Sequence, residues 1–113
     1  GSPGMNILPC KIKNGQINFE GKILPTTTSL KKSNFNKTQV GIRPEFVHFS
    51  NEGIAVKVKR VSDTGRHKVI DTECSSGSIK ILASSSTQIP SGSAHITFDQ
   101  KYTYAYGDNW IIE

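Results

Sequence analysis

The sequence predicts an all-β fold. Apolar residues recur with period two almost throughout. Gly, Asn, Asp and Ser punctuate the chain at short intervals, and no segment sustains an i, i+3, i+4, i+7 pattern beyond one turn. Many short strands in 113 residues form either a small barrel or a sandwich.

The elements follow in order. Cys10 and Ile12 alternate with lysines, Asn14-Gly15 makes a hairpin turn, and Ile17, Phe19 and Ile23 resume the alternation past Gly21 into a third short strand. Pro25 to Thr38 is polar, with Leu30 and Phe35 as its anchors, and reads as a loop or a weakly helical connection. Gln39 to Ile42 reads as strand and stops at Arg43-Pro44-Glu45, because proline cannot donate to a ladder. Phe46, Val47 and Phe49 then suit a short helical turn.

The clearest hairpin is next. Ile54, Val56 and Val58 oppose Lys57 and Lys59, Asp63-Thr64-Gly65 turns, and Arg66 to Glu73 returns with Val69 and Ile70. Ser75-Ser76-Gly77 leads into Ile79 to Ala83, and a Ser-rich link into Ala94 to Phe98. Tyr102, Tyr104 and Tyr106 are spaced to share a face, and Gly107-Asp108-Asn109 turns into Trp110-Ile111-Ile112.

One domain is the natural size for this length. Fourteen Lys and Arg against nine Asp and Glu give a net charge of +5. The basic excess is uneven: residues 1–60 hold ten cations and three acids, residues 61–113 four and six. Such asymmetry suits either a nucleic-acid patch or an ordinary solvated surface. No window approaches the ~18 apolar residues of a membrane-spanning helix. The start shows no basic and apolar leader pattern. Cys10 and Cys74 lie far apart without a Cys-x-x-Cys pair, which favours reduced thiols in a cytoplasmic protein. The sequon Asn36-Lys37-Thr38 would matter only in a secreted chain.

Catalytic patterns are weak. Gly15-x5-Gly21-Lys22-Ile23 is one residue too long for a phosphate loop, and Ile23 stands where the magnesium-binding hydroxyl belongs. His48, His67 and His95 are isolated from one another and from both cysteines, so no tight pair of zinc ligands exists. Nothing around Cys74-Ser75-Ser76 resembles a nucleophile elbow. No catalytic residue, cofactor or metal is therefore expected in this chain. Tyr102, Tyr104 and Tyr106 with Lys57, Lys59, Arg60 and Arg66 could stack and neutralise a single nucleic-acid strand. The competing reading makes the tyrosines the packing face of a last hairpin.

Two motifs narrow this choice. Gly1-Ser2-Pro3-Gly4-Met5-Asn6-Ile7-Leu8 resembles the Gly-Ser-Pro-x-Met-Asn-Phe-Leu junction that opens the C-terminal domain of carbohydrate-type ABC importer ATPases. Gly41-Ile42-Arg43-Pro44-Glu45 resembles the Gly-Ile-Arg-Pro-Glu signature of that same domain, the transport-associated OB (TOBE) domain of maltose-importer-like subunits. They stand in the family's order and at about its separation. The 54–72 hairpin and the close from Ile96-Thr97-Phe98-Asp99 to Asn109 are also similar. The departures are Ile7 for Phe, Tyr106 for Phe, and Lys59-Arg60-Val61-Ser62 where a Val-Glu pair is common.

The resemblance implies that residues 1–113 are a single C-terminal regulatory and dimerisation domain without chemistry of its own, folded as an OB-fold-type small β-barrel with an interleaved small β lobe. Its parent would be a transport-coupled ATPase for sugars or glycerol-phosphate-type solutes. No Walker A, signature or Walker B motif occurs between Gly1 and Glu113, so ATP and magnesium would belong to an upstream ATPase domain. The implied partners are a second copy of the subunit, the membrane permease through that upstream domain and, in some members, a regulatory protein. Nucleic acid is not among them. The implied place is the cytoplasmic face of the membrane. Gly41, Ile42, Arg43, Pro44 and Glu45 would be scaffold, Pro44 ending the strand while Arg43 and Glu45 tie adjacent loops by charge-assisted hydrogen bonds. A nucleic-acid-binding OB module and an oxyanion-binding barrel of the molybdate-binding kind are the alternatives.

Overall fold

A computed structural model describes residues 4–31 and 34–112. The first three residues of the junction motif and residues 32–33 of the Pro25–Thr38 stretch lie outside them. The strands are β1 (Asn6–Pro9), β2 (Lys11–Lys13), β3 (Gln16–Phe19), β4 (Lys22–Leu24), β5 (Thr38–Ile42), β6 (Val47–Ser50), β7 (Ile54–Asp63), β8 (His67–Cys74), β9 (Gly77–Ser84), β10 (Ser93–Phe98), β11 (Tyr104–Gly107) and β12 (Trp110–Ile111). Two single 3-10 turns, η1 (Pro44–Phe46) and η2 (Gln100–Tyr102), complete the elements. None of these helices is long and apolar enough to cross a membrane.

The strands form three antiparallel sheets, ordered β1-β5-β11-β12, β6-β10-β7-β8-β9 and β2-β3-β4. The small lobe β2–β4 is inserted between β1 and β5, which pair with each other, so it is interleaved as the resemblance implies. Local chemistry sets its shape. Asn14-Gly15 and Glu20-Gly21 hold left-handed φ of 53° and 74°, the two-residue turns that match strand twist. The helical turn expected over Phe46 to Phe49 ends at Phe46, because Val47 and Phe49 pair with Phe98 and Ile96.

One core serves all three sheets. Ile17, Phe19, Val40, Ile42, Ile54, Ile70, Ile79, Ile81 and Ile96 are buried in a single cluster, each worth about 1.5–3 kcal/mol of transfer free energy. Phe19 carries the small lobe onto β10 by stacking on Phe98, with centroids 6.1 Å apart. The β7–β8 ladder shifts register between Val58 and Arg60. Beyond that bulge the alternation no longer faces the core, and Val61 is 44% exposed.

The sheets do not close into the barrel that the resemblance implies. The two edge strands of the five-stranded sheet, β6 and β9, approach each other without pairing, and η1 lies against β9. The cause lies in what meets the β9 edge. Pro44, buried in η1, has no N–H to give to a ladder. The outward backbone groups of Lys80 are taken by a side chain instead: the Asn6 Nδ2 donates to the Lys80 carbonyl at 2.9 Å, and the Lys80 N–H donates to the Asn6 Oδ1 at 2.8 Å. A buried amide from β1 thereby finishes an edge that a strand would otherwise finish.

Candidate interaction surface

Strand parity places Ile7 of β1, Gly41 of β5 and Tyr104 of β11 in one row across the four-stranded sheet. The next row holds Pro9, Gln39, Tyr106 and Ile111. Neither row carries a charged side chain. Ile7 is 45% exposed, Tyr104 37% and Ile111 47%, while Trp110 of β12, paired with Gly107 and so of the opposite parity, is 79% exposed. Singly exposed apolar residues are ordinary, but here they stand in two adjacent rows without a charge.

Gly41 keeps this face flat. A Cβ there would sit 2.6 Å from the Tyr106 ring and 3.0 Å from both Ile7 Cδ1 and Met5 Sδ, so the ring can lie across the strand only above a glycine. The Tyr106 hydroxyl donates to Met5 Sδ at 3.5 Å. At the far edge the Phe35 ring covers Gly107, where a Cβ would come within 2.4 Å. Asp108 then fixes the loop, accepting from the Lys37 N–H at 2.8 Å, while its own N–H donates to the Lys37 carbonyl.

The signature segment leaves this sheet at Arg43. Ile42 and Pro44 are buried, whereas Arg43 and Glu45 are exposed. Among the described residues neither charged side chain makes a hydrogen bond or ion pair, so the expected charge-assisted ties are not formed. Main chain and aromatics hold the corner. The Phe46 N–H donates to Arg43 O at 3.0 Å, the Asp99 N–H donates to Phe46 O at 2.9 Å, and the Phe46 and Tyr102 rings stack at 3.7 Å and 11°. Tyr102 belongs to η2 and to this stack, not to the face of Tyr104 and Tyr106 with which the sequence grouped it.

The other candidate groups are dispersed. Lys57, Lys59, Arg60 and Arg66 lie on or beside the β7–β8 hairpin, a different sheet from Tyr104 and Tyr106, so the stacking and neutralising groups do not share one strand face. His48, His67 and His95 are exposed on three strands, and no group of three metal-ligating side chains occurs among the described residues. Burial pushes the Cys10 thiol up to about 11 and raises Cys74 as well, so both are protonated near neutrality. Glu20 accepts from the Ser75 hydroxyl at 2.7 Å, which lowers its pKa, and joins the small lobe to the β8–β9 turn.

Sequence reasoning missed Asn6 as the clasp on β9. Its signal was present, since Asn6 and Leu8 occupy the same parity and a polar residue on the apolar side of a strand needs buried partners. Residues 1–47 match the family model described as the MalK OB fold domain. The matched stretch includes Asn6, the whole small lobe and the 41–45 signature. No curated protein matches the chain.

Proposed function

We propose that this chain, which carries a MalK-type OB fold domain over its first 47 residues, is the C-terminal regulatory and dimerisation domain of the ATP-binding subunit of an ABC importer. The observation that carries the reading is a coincidence of place. β1 and β5, two of the strands inside the matched stretch, also build half of the uncharged sheet face. A rigid β domain with one such face suits docking on a second copy of the subunit. That contact keeps two ATPase domains tethered while they open and close, which raises their effective concentration for re-closure.

The solutes would be sugars or glycerol phosphates, and the working place the cytoplasmic face of the membrane beside the permease. ATP and magnesium would be held by the upstream domain. The 113 residues contain no phosphate loop, so this chain contributes position and contact surface.

The gene upstream of Gly1 tests the assignment: it should encode Gly-x4-Gly-Lys-Ser/Thr and then Ser-Gly-Gly-Gln, and an unrelated upstream sequence overturns it. The face is tested in the full subunit by sedimentation. Ile7→Glu with Ile111→Glu should shift the ATP-free subunit from dimer toward monomer, and an unchanged dimer removes the face from the reading.

A further inference from the structure

A groove of about 590 Å³ runs between β2 and the loop that precedes β5. Its walls include Lys11, Ile12, Lys13, Leu30, Lys31 and Phe35, and no carboxylate lines it among the described residues. None of the three lysines has an ion-pair partner among the described residues. The nearest acid by sequence, Glu20, borders a separate depression on the other side of Lys11 and Lys13 and is engaged by Ser75 and Ser76.

One wall of the groove is a strand edge that is open along β2 and closed at both ends, where Cys10 exchanges hydrogen bonds with Thr38 and the Leu30 N–H donates to Gly15 O. β2 pairs only with β3, through Lys11↔Asn18, Ile12↔Ile17 and Lys13↔Gln16. Because the two-residue turn Asn14-Gly15 is closed by the hydrogen-bonded pair Lys13–Gln16, the alternation turns the N–H and C=O of Ile12 away from β3. They point to the side where no strand pairs. Lys11 and Lys13 flank Ile12 with Cα atoms ~6.6 Å apart, the same repeat as alternate side chains of an extended strand.

We propose that this groove docks an extended acidic peptide segment of a partner protein, which lies along β2 between these two closures, pairs with the backbone of Ile12 and sets carboxylates at alternate positions against Lys11 and Lys13, with Lys31 on the facing wall. Backbone pairing supplies affinity, and the lysine ladder supplies the choice of sequence. A single-stranded nucleic acid fits less well. The groove's one aromatic ring, Phe35, already lies on Gly107 and is not free to stack a base. The proposal stands on the groove and is independent of the importer assignment.

The test titrates the isotope-labelled 113-residue chain with acetyl-Glu-Val-Glu-Val-Glu-Val-amide, its Lys-for-Glu counterpart, and a twelve-nucleotide oligothymidine, reading amide shifts by NMR. Saturable shifts centred on Lys11–Lys13 and Lys31 are expected from the acidic peptide alone. Lys11→Glu with Lys13→Glu should weaken its binding about tenfold or more, whereas Lys57→Glu with Lys59→Glu on the far hairpin leaves it within about twofold. If the first variant loses shift dispersion, Lys31→Glu, outside any strand, takes its place with an expected loss of about threefold to tenfold. The proposal fails if no shifts appear up to about 1 mM peptide, if the lysine variants bind equally, or if the oligothymidine binds the same amides more tightly.

Discussion

The side chain of Asn6 and the backbone of Lys80 exchange two hydrogen bonds, of 2.9 and 2.8 Å, across 74 residues of sequence. This pair replaces a strand-to-strand ladder at the edge of the five-stranded sheet. Asn6→Ala would leave the outward N–H and C=O of Lys80 without their partner and should cost about 1–3 kcal/mol. Asn6→Asp keeps the acceptor but turns a carboxylate oxygen toward the Lys80 carbonyl, so above the ordinary carboxylate range it should destabilise at least as much. Urea denaturation reads both, as a lower midpoint at unchanged slope. A change below about 0.5 kcal/mol for Asn6→Ala would mean that water serves Lys80 equally well.

Gly41→Ala should cost about 1–3 kcal/mol, since the new methyl group meets the Tyr106 ring at 2.6 Å. Removing the ring should remove most of that penalty. A double-mutant cycle between Gly41→Ala and Tyr106→Ala is therefore expected to show a coupling of about 1 kcal/mol or more, and additivity would place the clash elsewhere.

Stability should fall in acid partly through Glu20. The Ser75 hydroxyl holds its carboxyl below the ordinary value of 4.5. A carboxylate whose pKa is lowered by folding stabilises the native state above the unfolded pKa, and that contribution disappears as pH falls through the folded value. Glu20→Gln should thus be less stable than the parent near neutrality by about 1 kcal/mol or less, with the gap narrowing below about pH 4. Thermal melts from pH 7 to pH 3 measure it, and a gap that widens in acid contradicts the assignment.

Cys10 should resist alkylation in the native state. With its thiol pushed up to about 11 against an ordinary 9.0, the thiolate fraction near neutrality is about a hundredfold below that of a free cysteine. Iodoacetamide at pH 7.5 should label it only on unfolding, and mass spectrometry of digests taken over time separates it from Cys74.

The hairpins were legible because their information is local. Asn14-Gly15, Asp63-Thr64-Gly65 and Ser75-Ser76-Gly77 sit between alternating runs, and each becomes the turn its chemistry dictates. Pro44 marked the end of β5 for the same reason. What the sequence hid is settled between distant residues. An open barrel depends on what covers the edge of β9, which is Asn6 from β1 and the turn at Pro44. Tyr102 shares the spacing of Tyr104 and Tyr106, yet η2 breaks the alternation and turns its ring onto Phe46. Arg43 and Glu45 looked like partners for neighbouring loops, but a corner already fastened by main chain leaves them to solvent. In the candidate face, Gly41 was singled out by the signature, whereas its reason, the ring of Tyr106, lies 65 residues away.

The pairing of β5 with β11 has a consequence for biosynthesis. Ile42 closes β5, and Tyr104 opens the strand that covers its second side. A ribosome adding roughly 5–20 residues per second reaches that strand only several seconds later. Until then β5 is a template open on one side, and every nascent chain on the same message presents the same template. β11 and β12 act as a latch that ends this exposure, so a chain stopped before Tyr104 should be the form that self-associates or calls on chaperones during synthesis.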